Sequence, residues 1–437
     1  MSAPTTTRTT GPRTRGAPAP APTRRASRGA SRARGPDAVR AGRHDGGVTA
    51  HPALDKLTAF DSLLSEEERD LATTVRSFAD DKLRPYLADW FEAGEIPVRE
   101  IAQQLGALGV LGMHLDGYEC AGASATMYGL ACQELEAADS GLRSLMSVQG
   151  SLAMTAIHHF GSEEQKQEWL PRMAAGEALG CFGLTEPDFG SDPAGMRTRA
   201  RRDGDDWVIN GSKMWITNGT VADVAVVWAQ TDEKIRGFVV PTDTKGFSAT
   251  EIKHKLSLRA SKTAGLAFED MRLPNDALLP EVSGLRGPLT CLSEARFGII
   301  FGAMGAARDC LETALEYADS RVIYDKPLAG YQLTQAKLAD MTLELMKGQL
   351  LALHIGRLKD AGTLLPAQVS VGKLNSCREA IKIARECRTI LAAAGITLDY
   401  PVMRHANNLE SVMTYEGTSE VHQLIVGQAL TGETAFR

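Results

Sequence analysis

No two cysteines of this chain stand in a Cys-x-x-Cys or other paired spacing; the seven, Cys120, Cys132, Cys181, Cys291, Cys310, Cys377 and Cys387, are scattered. That argues against a thiolate zinc centre and a disulfide framework, and fits thiols kept reduced in a cytosol-like compartment. No apolar run approaches the length of a bilayer span, so no membrane span is expected. There is no Gly-x-Gly-x-x-Gly and no strand–helix–strand alternation, which excludes a dinucleotide bound in the doubly wound manner. The first 50 residues contain no Leu, Ile or Phe, and beyond Met1 their only large apolar residues are Val39 and Val48. Such a segment cannot bury enough surface to fold and reads as a disordered, solvated extension.

What is present is ordinary for a globular protein: 437 residues, 43% hydrophobic and 23% charged, enough for two or three domains with sizeable cores. Charge is uneven. Residues 1–50 hold ten Arg against Asp37 and Asp45, a balance of +8; with −6 for the whole chain, the remaining 387 residues sum to −14. An acidic body disfavours nucleic-acid binding by the body, leaving the Arg-rich tail as the one segment able to contact RNA or acidic surfaces. An Arg-rich, acid-poor start also resembles a mitochondrial transit peptide. Without large apolar residues it has no amphipathic face, so a cytoplasmic location is expected rather than the mitochondrial matrix.

Hydrophobic periodicity divides the rest. Ser65-Glu66-Glu67-Glu68 reads as a capping box, followed by Leu71, Val75, Phe78, Leu83 and Leu87 at roughly helical spacing. Helices are expected over Val98–Leu108, from Ala125 onward, over Ser147–Phe160, and from Ser162. The period then changes to that of strands. Trp207-Val208-Ile209, Asn210-Gly211 and Met214-Trp215-Ile216 read as a hairpin with an Asn-Gly turn, and strands are expected over 224–228, 237–240, 247–252 and 265–271. After Pro280 long amphipathic segments at 293–319, 333–360, 367–393 and 419–430 predict a bundle. The expected organisation is a disordered Arg/Pro/Ala-rich tail (1–54), an α-helical domain (55–178), a β domain (179–285) and a C-terminal four-helix bundle (286–437).

Three stretches carry chemistry. Tyr415-Glu416-Gly417-Thr418-Ser419-Glu420 places a carboxylate beside a glycine at an element boundary, where a substrate can approach the backbone of a general base. Phe182-Gly183-Leu184-Thr185-Glu186-Pro187-Asp188-Phe189-Gly190-Ser191-Asp192 packs backbone and hydroxyl groups as a loop that cradles a polar ring or a phosphate would. Trp215-Ile216-Thr217-Asn218 ends a strand with an aromatic and a hydroxyl.

Together these stretches, with Asn210–Asn218, Arg321 and Gln332, resemble the acyl-CoA dehydrogenase family over about residues 55–437. Arg143-Ser144-Leu145-Met146-Ser147-Val148-Gln149 and Ser257–Ser261 are similar to the branch that acts on glutaryl-CoA. The resemblance implies a helical, β and four-helix-bundle fold, non-covalent FAD, an acyl-CoA substrate, an electron-transfer flavoprotein as acceptor and a homotetramer. It implies that residues 182–191 and Trp215, Ile216 and Thr217 line the flavin, and that Thr418, Ser419 and Glu420 close over it. Arg321, Gln332 and the run Thr389, Ile390, Leu391, Ala392, Ala393 would reach the FAD of a neighbouring subunit. Acyl-CoA would be held by Leu289, Thr290, Cys291, Leu292, Ser293, Glu294, Ala295 and Arg296, with Ser191, Tyr415 and Gly417; Arg296 would be the polar contact for the pantetheine or nucleotide part. Glu416 would take the α-proton while a hydride leaves the β-carbon, and burial of its carboxylate would make it a better match for a carbon acid.

Specificity rests on Arg143. Glu136, Arg143 and Ser147 fall at i, i+7 and i+11, one face of a continuous helix, with Ser144 beside them. A cation at the end of an acyl pocket is a cost for a fatty chain and an anchor for a terminal carboxylate. The expected reaction is oxidation of glutaryl-CoA with loss of CO2 to crotonyl-CoA; the alternatives are a non-decarboxylating short-chain acyl-CoA dehydrogenase or an oxidase. A catalytically inactive flavin or acyl-CoA binder is opposed by the intact Glu416. Three positions depart from the family pattern: Ala392-Ala393 where a Gly-Gly pair is common, Leu142 where the glutaryl branch commonly has an aromatic, and Glu119 where it has a glycine.

Overall fold

The structure, a computed structural model, describes residues 51–434 and 436. The expectations placed on residues 1–50, disorder and contact with RNA, lie outside the described residues. Residues 52–54, expected in the tail, belong to a helix, Pro52–Thr58 (α1), with Leu54 buried.

The first block is helical: α2 (Glu66–Lys82), α3 (Leu87–Ala93), α4 (Val98–Ala107), α5 (Ala125–Ala138), α6 (Ser140–Ser147), α7 (Thr155–Phe160) and α8 (Glu163–Ala174). Both α2 and α8 open with full capping boxes, Ser65 with Glu68 and Ser162 with Gln165, so their first N–H groups are satisfied locally. Two departures from the periodic reading matter. The helix expected over 147–160 is π-helical from Val148 to Met154. And α5 does not run into α6, because Asp139 is extended (φ −163°, ψ 139°) and caps α6 by accepting from the Gly141 N–H at 2.7 Å.

The β block is a seven-stranded sheet of β1 (Gly180–Gly183), β2 (Arg199–Asp203), β3 (Asp206–Thr217), β4 (Val224–Gln230), β5 (Ile235–Pro241), β6 (Phe247–Glu251) and β7 (Thr263–Leu273). Its order is β1-β4-β2-β3-β7-β6, with β5 on β4 and β1 parallel to β4. Asn210-Gly211 is not a turn. It lies inside β3, which pairs with β7 on both sides of a bulge there, while the tight turn falls at Gly204-Asp205 between β2 and β3. Gly211 (φ +147°) is needed because a Cβ there would lie 2.6 Å from the Cα of Thr198.

The third block holds α9 (Arg286–Ser320), a small hairpin of β8 (Val322–Ile323) and β9 (Lys326–Pro327), α10 (Gln332–Asp360), α11 (Pro366–Ile390), α12 (Val402–Val412) and α13 (Ser419–Thr431). Periodicity missed α12 because its buried face carries Arg404, His405 and Asn408 among Val402, Ala406, Leu409 and Val412. Those polar groups reach partners across helices: Arg404 and Asn408 donate to Asp139, and His405 Nε2 lies 3.0 Å from Asp309. α5 packs directly on α9, where Gly302 lets Glu136 approach; a Cβ on Gly302 would sit 2.1 Å from Glu136 Oε2. Among the described residues no helix is long and apolar enough to cross a membrane.

Candidate active site

Glu416 occupies the short turn between α12 and α13, in a left-handed conformation (φ 54°) that non-glycine residues seldom adopt. Its neighbour Thr418 caps α13 by accepting from the Val421 N–H at 3.4 Å. Ser419 is buried in the first turn of α13 and Glu420 is exposed. The Glu416 side chain is half-buried, but Oε2 is fully buried and has no hydrogen-bond partner. Burial pushes its carboxyl pKa above the ordinary range. Arg143, Lys373 and Arg296 pull against that rise and Glu136 adds to it.

Arg143 and Glu136 form a buried ion pair, Nε to Oε2 at 2.7 Å, with side chains 1% and 0% exposed. They do not share one helix face. Glu136 lies in the last turn of α5, Arg143 and Ser147 lie on α6, and the extended Asp139 separates the two helices. Arg143 also donates to the Tyr415 hydroxyl and lies 5.7 Å from that ring's centre; Ser144 Oγ is 3.4 Å from the same hydroxyl. Glu136 Oε1 is buried with no hydrogen-bond partner. Glu416, Arg143, Glu136 and Tyr415 thus lie together, with two buried carboxylate oxygens, Glu416 Oε2 and Glu136 Oε1, left to bind something else.

Along 289–296 the helix divides the expected acyl-CoA contacts. Cys291 and Ala295 are buried in the core, and the hydroxyls of Thr290 and Ser293 donate to Arg286 O and Leu289 O of their own helix. Glu294 pairs with Lys359 at 2.7 Å, so Leu289 and Leu292 remain as the more open apolar surface. A continuous run on a helix cannot all face one ligand. Arg296 Nε donates to the carbonyl of Glu416 at 2.7 Å, so that nitrogen serves the turn rather than a ligand.

The loop expected to hold a flavin splits likewise. Phe182, Gly183 and Leu184 are buried in and just past β1. The Glu186 carboxylate is spent inside the fold, accepting from Lys213 Nζ at 2.8 Å and from the N–H groups of Arg197 and Thr198 at 2.6 and 2.9 Å. Pro187, Asp188, Gly190 and Ser191 are exposed, and Phe189 lies half-buried with the Arg197 guanidinium 5.2 Å above its ring. Ile216 is buried and Thr217 half-buried, while Trp215, at a bulge with φ +64°, stands 58% exposed. An open indole two residues before Thr217, on a strand whose Met214 N–H donates to Thr185 O at 2.9 Å, fits a planar, hydrogen-bonding ring system. Arg321, Gln332, Thr389, Ala392 and Ala393 are exposed, whereas Ile390 and Leu391 are core; Ala392 is left-handed (φ 51°), the backbone a glycine adopts more readily. Glu119 (φ 63°) is left-handed too, within Gly117-Tyr118-Glu119, and Leu142 is fully buried.

Sequence reasoning missed several residues that shape the site. Lys373 of α11 donates to the carbonyls of Tyr415 and Gly417. Asp139 anchors α6, Arg404 and Asn408. Gln149 binds the Gly180 N–H and the carbonyls of Met173 and Ala178, joining the helical block to β1. The signal available was an ionisable or amide side chain on an otherwise apolar stripe, as Lys373 is between Val369, Ser376, Cys377 and Ala380.

Comparison with known proteins gives the family. Three family models match in chain order: acyl-CoA dehydrogenase N-terminal domain over residues 65–177, middle domain over 181–271 and C-terminal domain over 283–431. The short-chain specific acyl-CoA dehydrogenase of Bos taurus mitochondria is 36% identical over 377 residues, 84% of this chain and 91% of that protein. A crystal structure of glutaryl-CoA dehydrogenase from Mycobacterium smegmatis superposes with a TM-score of 0.87 at 68% identity, covering 88% of this chain and 99% of that one. A second structure of a glutaryl-CoA dehydrogenase from that organism, in complex with FADH2, gives 0.85 at 66% identity over 86% and 97%. The chain belongs to the acyl-CoA dehydrogenase family.

Proposed function

We propose that this chain is an FAD-dependent dehydrogenase that converts glutaryl-CoA to crotonyl-CoA and CO2. The observation that carries the substrate is the buried Arg143, joined to Glu136 and Tyr415 in the same pocket as the partnerless Glu416 carboxylate. An arginine whose guanidinium already faces two site residues is placed to take a terminal carboxylate, and a hydrocarbon chain end offers it nothing.

Phe182–Ser191, Trp215 and Thr217 would hold FAD, which supplies the acceptor for the hydride leaving the β-carbon. The rest falls to the chain's own groups. Glu416 removes the α-proton; burial raises the proton affinity of its carboxylate and excludes water from it. Arg143 and Tyr415 hold the distal carboxylate during oxidation. Once the α,β double bond is formed, the C–C bond to that carboxylate breaks with its electrons passing into the thioester, and CO2 leaves. Protonated Glu416 is placed to return its proton at the γ-carbon. An electron-transfer flavoprotein as final acceptor, a homotetramer and a cytoplasmic location complete the reading.

One observation favours a non-decarboxylating short-chain enzyme: Glu136 already neutralises Arg143, so the pocket end carries no net charge from the pair. Incubating the yellow protein with glutaryl-CoA or butyryl-CoA and an artificial acceptor, while following CO2 and crotonyl-CoA, separates the two. Preference for butyryl-CoA, or oxidation of glutaryl-CoA without CO2, would sink the proposal.

A further inference from the structure

The turn that carries Glu416 is held by its carbonyls. Lys373, 1% exposed on α11, donates from Nζ to Tyr415 O and to Gly417 O, both at 2.8 Å. Arg296, from α9, donates to Glu416 O between them at 2.7 Å. Three successive carbonyls are therefore taken by cations of two bundle helices. The backbone that accomplishes this is left-handed at Glu416 (φ 54°) and at Gly417 (φ +99°). With the carbonyls tied, the N–H groups of Glu416 and Gly417 donate to nothing among the described residues.

A buried lysine ordinarily sits on a carboxylate. Lys373 has no ion pair among the described residues; its ammonium is spent on the main chain of the turn. The groups facing it are Glu416 from the turn, Arg296 from α9, Arg143 from α6 and Cys377 from its own helix. His422 of α13, whose ring is hydrogen-bonded to Ser370, lies beside Lys373 and Arg296, and burial lowers its pKa to about 3. It is neutral in the working range and cannot replace the lysine's charge.

We propose that Lys373 is a positioning residue for the reaction: by pinning the carbonyls on either side of Glu416 it fixes the left-handed turn that aims the base and the free N–H groups at the thioester. Its charge also favours the ionised carboxylate, acting with Arg143 and Arg296 against burial. The inference rests on Glu416 being the base.

Three variants of the FAD-loaded full chain test it, with glutaryl-CoA and an artificial acceptor across pH. Lys373→Met removes donors and charge, Lys373→Gln keeps a donor without the charge, and Lys373→Arg keeps both. Lys373→Met is expected to lose kcat by roughly ten- to a hundredfold with KM little changed, since a slightly misaimed base loses rate before it loses binding. In Lys373→Met and Lys373→Gln the acid limb of the pH profile moves to higher pH; in Lys373→Arg it returns toward wild type. A residue that only supports the fold would leave that limb in place, so a wild-type limb in Lys373→Gln overturns the proposal even where Lys373→Met does not fold. Glu416→Gln is run beside them. An active Glu416→Gln removes the base assignment itself, whereas an inactive one with unchanged Lys373 variants removes only the role of Lys373.

Discussion

Arg143 reaches Glu136 across a helix break: Nε and Oε2 are 2.7 Å apart although Asp139, extended and buried, separates the helices that carry them. The break gives the pair its geometry. On one uninterrupted helix the two residues, seven apart, would stand about two turns from each other. Across the break the guanidinium meets both Glu136 and the Tyr415 hydroxyl, which ties the end of the pocket to the turn that holds Glu416.

Removing the charges of that pair together tests what it recognises. Glu136→Gln with Arg143→Gln leaves no uncompensated buried ion, so the protein should fold. We expect kcat/KM for glutaryl-CoA to fall by about a hundredfold or more, the loss of a charge-assisted anchor, while butyryl-CoA changes by less than about tenfold. Equal losses for both substrates would show that the pair is structural only.

Gly302 gives a second route to the same pair. A Cβ there would lie 2.1 Å from Glu136 Oε2, and both sit in the tight contact between α5 and α9. Gly302→Ala should cost about 1–3 kcal/mol in denaturant unfolding through overpacking. It should also weaken glutaryl-CoA turnover more than butyryl-CoA turnover, because the displaced carboxylate is Arg143's partner. A variant as stable as wild type would mean that α9 yields freely.

The helix–strand–helix order was legible in the sequence, since capping boxes such as Ser65 with Glu68 and the period of the long bundle helices are local signals. What was not legible is tertiary. Asn210-Gly211 carries a strong turn signal, yet β3 continues through it because β7 pairs on both sides and Gly211 is wanted for its closeness to Thr198. Asp139 breaks a helix inside an unbroken apolar period because its carboxylate is claimed by Gly141, Arg404 and Asn408, the latter two more than 260 residues away in sequence. Helix α12 was hidden by the same contacts, because its buried Arg404, His405 and Asn408 interrupt the apolar stripe. Lys373 carries no local signal of its role, which lies in its two carbonyl partners, Tyr415 O and Gly417 O.

Gln149 is the seam between the helical block and the sheet. It accepts from Gly180 N–H at 2.7 Å and donates to Met173 O and Ala178 O at 3.0 and 2.8 Å, all buried. Gln149→Leu keeps the volume and removes the amide partner of the Gly180 N–H and of Ala178 O, each worth about 1–3 kcal/mol when left unsatisfied, while Met173 O keeps the Gly176 N–H at 3.2 Å. Thermal unfolding should therefore shift down by several degrees, with the two blocks melting less cooperatively by calorimetry. An unchanged transition would show that water replaces the amide.

Glu416 should leave its mark on both rate and stability as pH changes. Burial raises its folded-state pKa above the unfolded value, so the protonated form is the one the fold favours. Stability from this group is complete below the ordinary carboxylate range and is lost as pH rises through the raised pKa; activity runs oppositely, because only the ionised base can take a proton. Glu416→Gln, which cannot ionise, should bind FAD and acyl-CoA, fail to bleach the flavin, and melt above wild type at pH 7–8, with the gap closing toward pH 4. The comparison is a pair of thermal melts across that range on FAD-loaded protein. A constant gap would mean that the carboxylate is solvated in the folded protein, and normal bleaching by Glu416→Gln would place the base elsewhere.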